Sequence, residues 1–138
     1  MKIFIKILLL LLLPVFVSSQ SQQKLDSLYI DLSNAANDSI RMEIYQDLHW
    51  YYQEVNRDSA LFYNDKALPI AKQLKLRLHE ADILDGTAYV LMHLGNYPTS
   101  LETFLLALKI AEDPSTENDN YNLFRIKKRE TPRIFRLK

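Results

Sequence analysis

Ala67-Leu68-Pro69-Ile70-Ala71 returns forty residues later as Ala107-Leu108-Lys109-Ile110-Ala111. In both copies the alanines and aliphatic residues fall three and four positions apart, which is the spacing of one face of an α-helix. The same offset carries Ala60-Leu61 onto Ser100-Leu101, keeping a small residue where two helices must approach closely. Upstream the offset is thirty-nine: Ile44 and Tyr45 align with Ile83 and Leu84, His49 with Ala88, and Tyr52 with Leu91. The missing residue falls in the turn, Val55-Asn56-Arg57 in the first copy against His93-Leu94-Gly95-Asn96 in the second. Self-similarity at a fixed period of this length is the mark of a stacked helical repeat.

Outward from the repeats the periodicity stays helical. Leu25, Leu28, Tyr29 and Leu32 predict a short amphipathic helix over about residues 23–34. Ser39 is the expected N-cap of a second helix, about residues 40–54, with Tyr45, Leu48, Tyr52 and Val55 on one face. Asp58 is the expected cap of a third, to about Leu74, whose inner stripe includes Ala60, Leu61, Tyr63, Ala67, Leu68 and Ala71. Leu78 to Leu94 predicts a fourth, stopped at Gly95-Asn96. Tyr97 or Pro98 to Glu112 predicts a fifth, with proline tolerated in the first turn. No stretch alternates with period two, so no strand is expected.

These features resemble the tetratricopeptide repeat (TPR) family. Ser100, Phe104 and Ala107, after the turn Gly95-Asn96-Tyr97 and before Pro114, resemble the small, aromatic and small residues of that family's second helix. Leu48-His49-Trp50-Tyr51-Tyr52 is similar to the pattern of its first helix, continued by Ala60 and Ala67. The departures are His49 for a small residue, Thr87 for the leucine, Asn64 for the aromatic, and a period near 40 where the family has 34. The resemblance covers roughly residues 39–114 and implies an all-α, TPR-like solenoid of antiparallel helix pairs. On this reading residues 20–38 are an opening helix and linker, residues 39–75 and 76–114 are two repeats, and residues 115–138 begin a third, truncated one. The longer period and the lead Gln20-Ser21-Gln22-Gln23 resemble the N-terminal TPR region of exported bacterial sensor and regulator proteins.

The chain is neutral, with 17 Lys/Arg and 17 Asp/Glu, but the charges are segregated. Residues 1–20 carry Lys2 and Lys6 and no acid. Residues 21–120 carry eight basic against sixteen acidic side chains, and residues 121–138 seven against Glu130 alone. Residues 1–19 read as an export signal, with a basic start, the apolar run Ile7 to Val17, and Val17-Ser18-Ser19 before a cut near Gln20. The expected location is periplasmic or secreted. Thr131-Pro132 resembles a helix start, and Ile134, Phe135 and Leu137 open an apolar stripe after it. Because each helix pair leaves an apolar face for the next to cover, the chain is expected to be the N-terminal fragment of a longer array. Lys127-Lys128-Arg129 has three readings: the loop before that helix, an anionic-surface contact, or a segment that folds back on the acidic body.

Composition removes most motif-bearing enzymes. With no cysteine there is no disulfide framework, thiolate metal site or cysteine nucleophile. Gly86 and Gly95, nine apart, cannot build a phosphate-cradling loop. His79-Glu80-Ala81-Asp82-Ile83 shares only two letters with HExxH and lacks the second histidine, so it is expected to be a solvated acidic face. No serine sits in a GxSxG elbow. His49 is expected at a helix crossing, and His93 against the last carbonyls of its helix. No enzyme, cofactor or metal is expected; a small metal-binding or hydrolytic protein is an alternative without motif support.

The resemblance also implies a partner groove, lined by the first helix of each pair. The residues it designates are Glu43, Gln46, Asp47, Trp50 and Gln53, then Asp82, Asp85, Tyr89, Met92 and His93. They lack the lysines and asparagines that clamp a peptide carboxylate in chaperone-binding TPRs. Carboxylates beside aromatic faces suit Lys or Arg on a protein or peptide; the competing reading is wet surface carboxylates with Trp50 and Tyr89 in the core. Further repeats of the same protein are an expected partner, nucleic acid is not, and membrane contact is expected only through the signal or a downstream segment. Such a module fits either an exported interaction protein or the periplasmic sensory region of a histidine kinase or transcriptional regulator in signal transduction.

Overall fold

The structure is a computed structural model that describes residues 22–116. The expected export signal, the basic tail and the expected helix start at Thr131-Pro132 lie outside the described residues. The described residues fall into two compact units that divide between Asn34 and Ala35. In the first, residues 22–33 are helical (α1), with Gln22 Nε2 donating to Asp26 Oδ1 at 2.9 Å one turn on.

The second unit contains α2 (Asp38–Tyr52), α3 (Arg57–Gln73), α4 (Arg77–His93) and α5 (Tyr97–Ala111), then a 3₁₀ turn at Pro114–Thr116. Among the described residues there is no strand. Each helix packs on the next, α2 on α3, α3 on α4 and α4 on α5. The fold is thus an all-α stack of helix pairs, the TPR-like solenoid expected from the sequence.

The helix starts correct the expected caps. Asn37, not Ser39, caps α2: its backbone is extended (φ −154°, ψ 170°) and its side chain accepts from the Ile40 N–H at 2.9 Å. Asn56, not Asp58, caps α3 and accepts from Ser59 N–H at 3.0 Å. Both asparagines leave the helical region one residue before the first helical position, so their amide oxygens meet an orphan donor of the first turn. α4 and α5 begin with no side-chain cap; at α5 Pro98 sits in the first turn, where a missing N–H costs nothing. Pro69 lies inside α3 on an exposed side, and the helix continues to Gln73.

Left-handed residues close two helices. After α3, Lys75 takes φ 57° and Leu76 N–H reaches Ala71 O at 2.9 Å. After α4, Gly95 takes φ 81° and Asn96 N–H reaches Leu91 O at 3.0 Å. Both are Schellman endings, and glycine adopts this conformation without the Cβ penalty that Lys75 bears. The α2–α3 turn has neither; Val55, expected on the inner face, is 70 % exposed there, because helix α2 ends at Tyr52 and the helical period no longer applies.

The repeated stripe forms the core. Ala67, Ala71, Met42 and Ile83 make one cluster; Ala107, Ile110, Ala111, Ala81 and Leu84 make another, and Leu68 packs against both. Ala67 and Ala107 are completely or almost completely buried, as are Leu48 and Ile44 of α2. Burying a leucine or isoleucine of this kind contributes about 1.5–3 kcal/mol. After α5, Asp113 Oδ1 accepts from Ser115 N–H at 2.9 Å. Its carboxyl is held below the usual range, first by the bonds to Ser115, with Arg77 (3.8 Å) adding to them.

Candidate binding face

The ten positions designated from the sequence lie on α2, on α4 and at the first residue beyond α2. Glu43, Gln46, Gln53, Asp82 and Asp85 are buried, Asp47, Trp50 and Tyr89 half-buried, Met92 and His93 exposed. Neither expected picture holds whole: the carboxylates at 43, 82 and 85 are not wet, and the two aromatics are only partly covered. The face that begins at His79 is likewise not solvated; His79 is 1 % exposed.

Two helices that touch little through their backbones are joined here by side chains. Gln46 Nε2 of α2 donates to Asp82 Oδ2 of α4 at 3.0 Å. His79 Nδ1–H donates to Gln46 Oε1 at 3.3 Å, making a relay from His79 through Gln46 to Asp82. Asp82 and Gln46 were designated in advance; His79 was not, although it lies one turn before Asp82 and so shares its face. Further along, Tyr89 OH donates to Glu54 Oε1 at 3.1 Å. Glu54 was also missed, and its place four residues after Trp50 is the signal that could have found it. His93 packs its ring on Tyr89 at a centroid distance of 4.4 Å, where contact with the helix-end carbonyls was expected. Among the described residues no group of three or more His, Cys, Asp or Glu could hold a metal ion.

The unusual residues of the first repeat meet at one crossing. His49 is 2 % exposed, bonds through Nδ1 to Ala60 O at 3.1 Å, and sets its ring edge-on to Trp50. A Cβ on Gly86 would stand 2.7 Å from His49 Nε2 and 3.2 Å from Asn64 Nδ2. Asn64 in turn donates to Ile83 O and to Thr87 Oγ1, both at 3.0 Å. Thus His49, Asn64 and Thr87, the departures from the repeat pattern, fit around the missing side chain of Gly86.

At the other end α4 and α5 leave a cleft of about 390 Å³. Ala88 and Ser100 line it, with Asp85, Tyr89 and Met92 from α4 and Tyr97, Leu101 and Phe104 from α5. Tyr97, Leu101 and Met92 are 66, 59 and 43 % exposed. Only Asp85, Tyr89 and Met92 of this set were designated from the sequence; the α5 wall was visible there as the apolar positions Tyr97, Leu101 and Phe104, three and four residues apart.

Helix pairs of this length, each helix packed on the next with small residues buried between them, define a TPR-type helical repeat. The chain belongs to the family described as the SusR N-terminal TPR domain, which matches residues 16–128. That match is wider than the two repeats and takes in α1. No curated protein and no solved structure matches the chain. TPR domains are protein-interaction modules and are generally non-catalytic.

Proposed function

We propose that the chain is an exported, non-catalytic interaction module whose α2–α4 face receives a basic segment of a partner protein. The observation that carries this reading is the joining of α2 and α4 by the His79–Gln46–Asp82 relay and the Tyr89–Glu54 bond. These links hold carboxylates and aromatic rings together on one face. A partner arginine or lysine gains there both a charge-assisted bond and a ring face. The acidic balance of residues 21–120 favours approach by a basic partner and disfavours an acidic one.

The test is an array of Lys/Arg-rich peptides on the full chain, compared with Asp47→Lys plus Glu54→Lys. Both positions are at least partly exposed, so the fold, checked by circular dichroism, is expected to survive. Binding should fall tenfold or more and should weaken with salt; unchanged binding removes the reading.

A second reading is favoured by the description of the matched family as an N-terminal domain. In it the module is the periplasmic sensory region of a longer membrane-bound signalling protein, a histidine kinase or transcriptional regulator. Sequencing the gene beyond Lys138 decides this: a further repeat array followed by an apolar span of roughly 20 residues and an effector domain supports it, and their absence sinks it.

A further inference from the structure

We propose that the α4–α5 cleft is the docking site of this chain's own basic C-terminal segment, residues 121–138. The cleft has an apolar wall, Met92, Tyr97, Leu101 and Phe104, and Asp85, itself 8 % exposed, is among its lining residues. The segment has the matching composition. Phe124, Ile126, Ile134, Phe135 and Leu137 are apolar and interleaved with Lys127, Lys128, Arg129, Arg133 and Arg136. The rest of the mature chain is acidic by eight charges and this segment basic by six, so attraction between them is built into the sequence.

Reach permits the contact. The described fold ends at Thr116, beyond the C-terminal end of α5, and the cleft runs along Tyr97 to Phe104 at the other end. That is roughly 15–20 Å back along the helix axis, whereas residues 117–130 extend to roughly 45 Å. A tether of this length keeps the segment at about millimolar effective concentration, which a weak contact can exploit. Asp85, Tyr89 and Met92 belong both to the cleft and to the face proposed for a basic partner. Docking therefore competes with that partner, but it needs no external partner to exist.

The chain has no cysteine, so paired cysteines report the contact directly. In the full chain, Leu101→Cys with Arg136→Cys should form an intrachain disulfide at least tenfold faster than Asp65→Cys with Arg136→Cys, since Asp65 is exposed on α3 away from the cleft. Reversing Lys127, Lys128 and Arg129 to glutamate should slow the Leu101 pair. Equal rates for the two pairs, indifference to the charge reversal, or a disulfide joining two copies overturns the inference. Failure of the peptide array above leaves these rates unaffected, so the two proposals fail separately.

Discussion

The two helix pairs solve the same packing problem with opposite chemistry. In the first, the crossing of α2 and α3 is bridged by a side chain of α2, His49 Nδ1 to Ala60 O; in the second, α4 and α5 are bridged by a side chain of α5, Ser100 Oγ to Ala88 O at 2.7 Å. His49 aligns with Ala88 and Ala60 with Ser100, so the helix that supplies the bonding side chain and the helix that supplies the carbonyl have changed places. The separations along the chain, 11 and 12 residues, carry the one-residue difference between the turns. Asn64 aligns with Phe104. The first is 2 % exposed and bonded to the backbone of α4, while the second is 37 % exposed at the rim of the cleft. A helix position covered by a following helix can hold a polar group if that helix supplies its bonds. The corresponding position on α5, Phe104, is an aromatic that no described helix covers fully.

The sharpest way to break this comparison is at Gly86. Gly86→Ala should destabilise by about 1–3 kcal/mol, because the new methyl overlaps the buried His49 ring. In a His49→Ala background the same change should be neutral or stabilising by up to about 1 kcal/mol, since alanine is the better helix former. Urea midpoints of the single and double variants check it; additive losses would show that His49 and Gly86 are not a compensating pair.

Ser100→Ala should cost about 1 kcal/mol through the lost bond to Ala88 O. Hydrogen exchange should rise in α5 more than in α3, and a uniform rise would remove the separateness of the two pairs. The smallest expected effect compares the turns. Asn56→Ala should cost roughly 1 kcal/mol, and Asn96→Ala only a few tenths, because Asn56 caps its helix and Asn96 does not. Equal losses in thermal denaturation would contradict the cap assignments.

Element types and the internal register were legible because they rest on spacing. The buried stripe Ala67/Ala71 and Ala107/Ala111 and the small residues 60 and 100 stand where the periodicity put them. Helix starts were less legible: Asn37-Asp38-Ser39 and Asn56-Arg57-Asp58 each offer more than one good capping residue, and only the backbone conformation decides which is used. The proposed binding face was legible as positions and not as exposure. The helical period places Gln46 and Asp82 on facing helices, but says nothing of the distance between them.

The amino-acid sequence by itself determined that this protein is a stack of helix pairs, that the small residues at 60, 67 and 71 and at 100, 107 and 111 are interior, and that an acidic body is tied to a basic tail. Those properties follow from period, side-chain volume and charge, all additive along the chain. Only the tertiary structure decided that His49, Asn64 and Thr87 close around Gly86, that His79 and Gln46 link α2 to Asp82, and that Tyr97, Leu101 and Phe104 wall a cleft with α4. Each of these depends on how closely two helices approach, to within an ångström, and that distance is set jointly by side chains tens of residues apart.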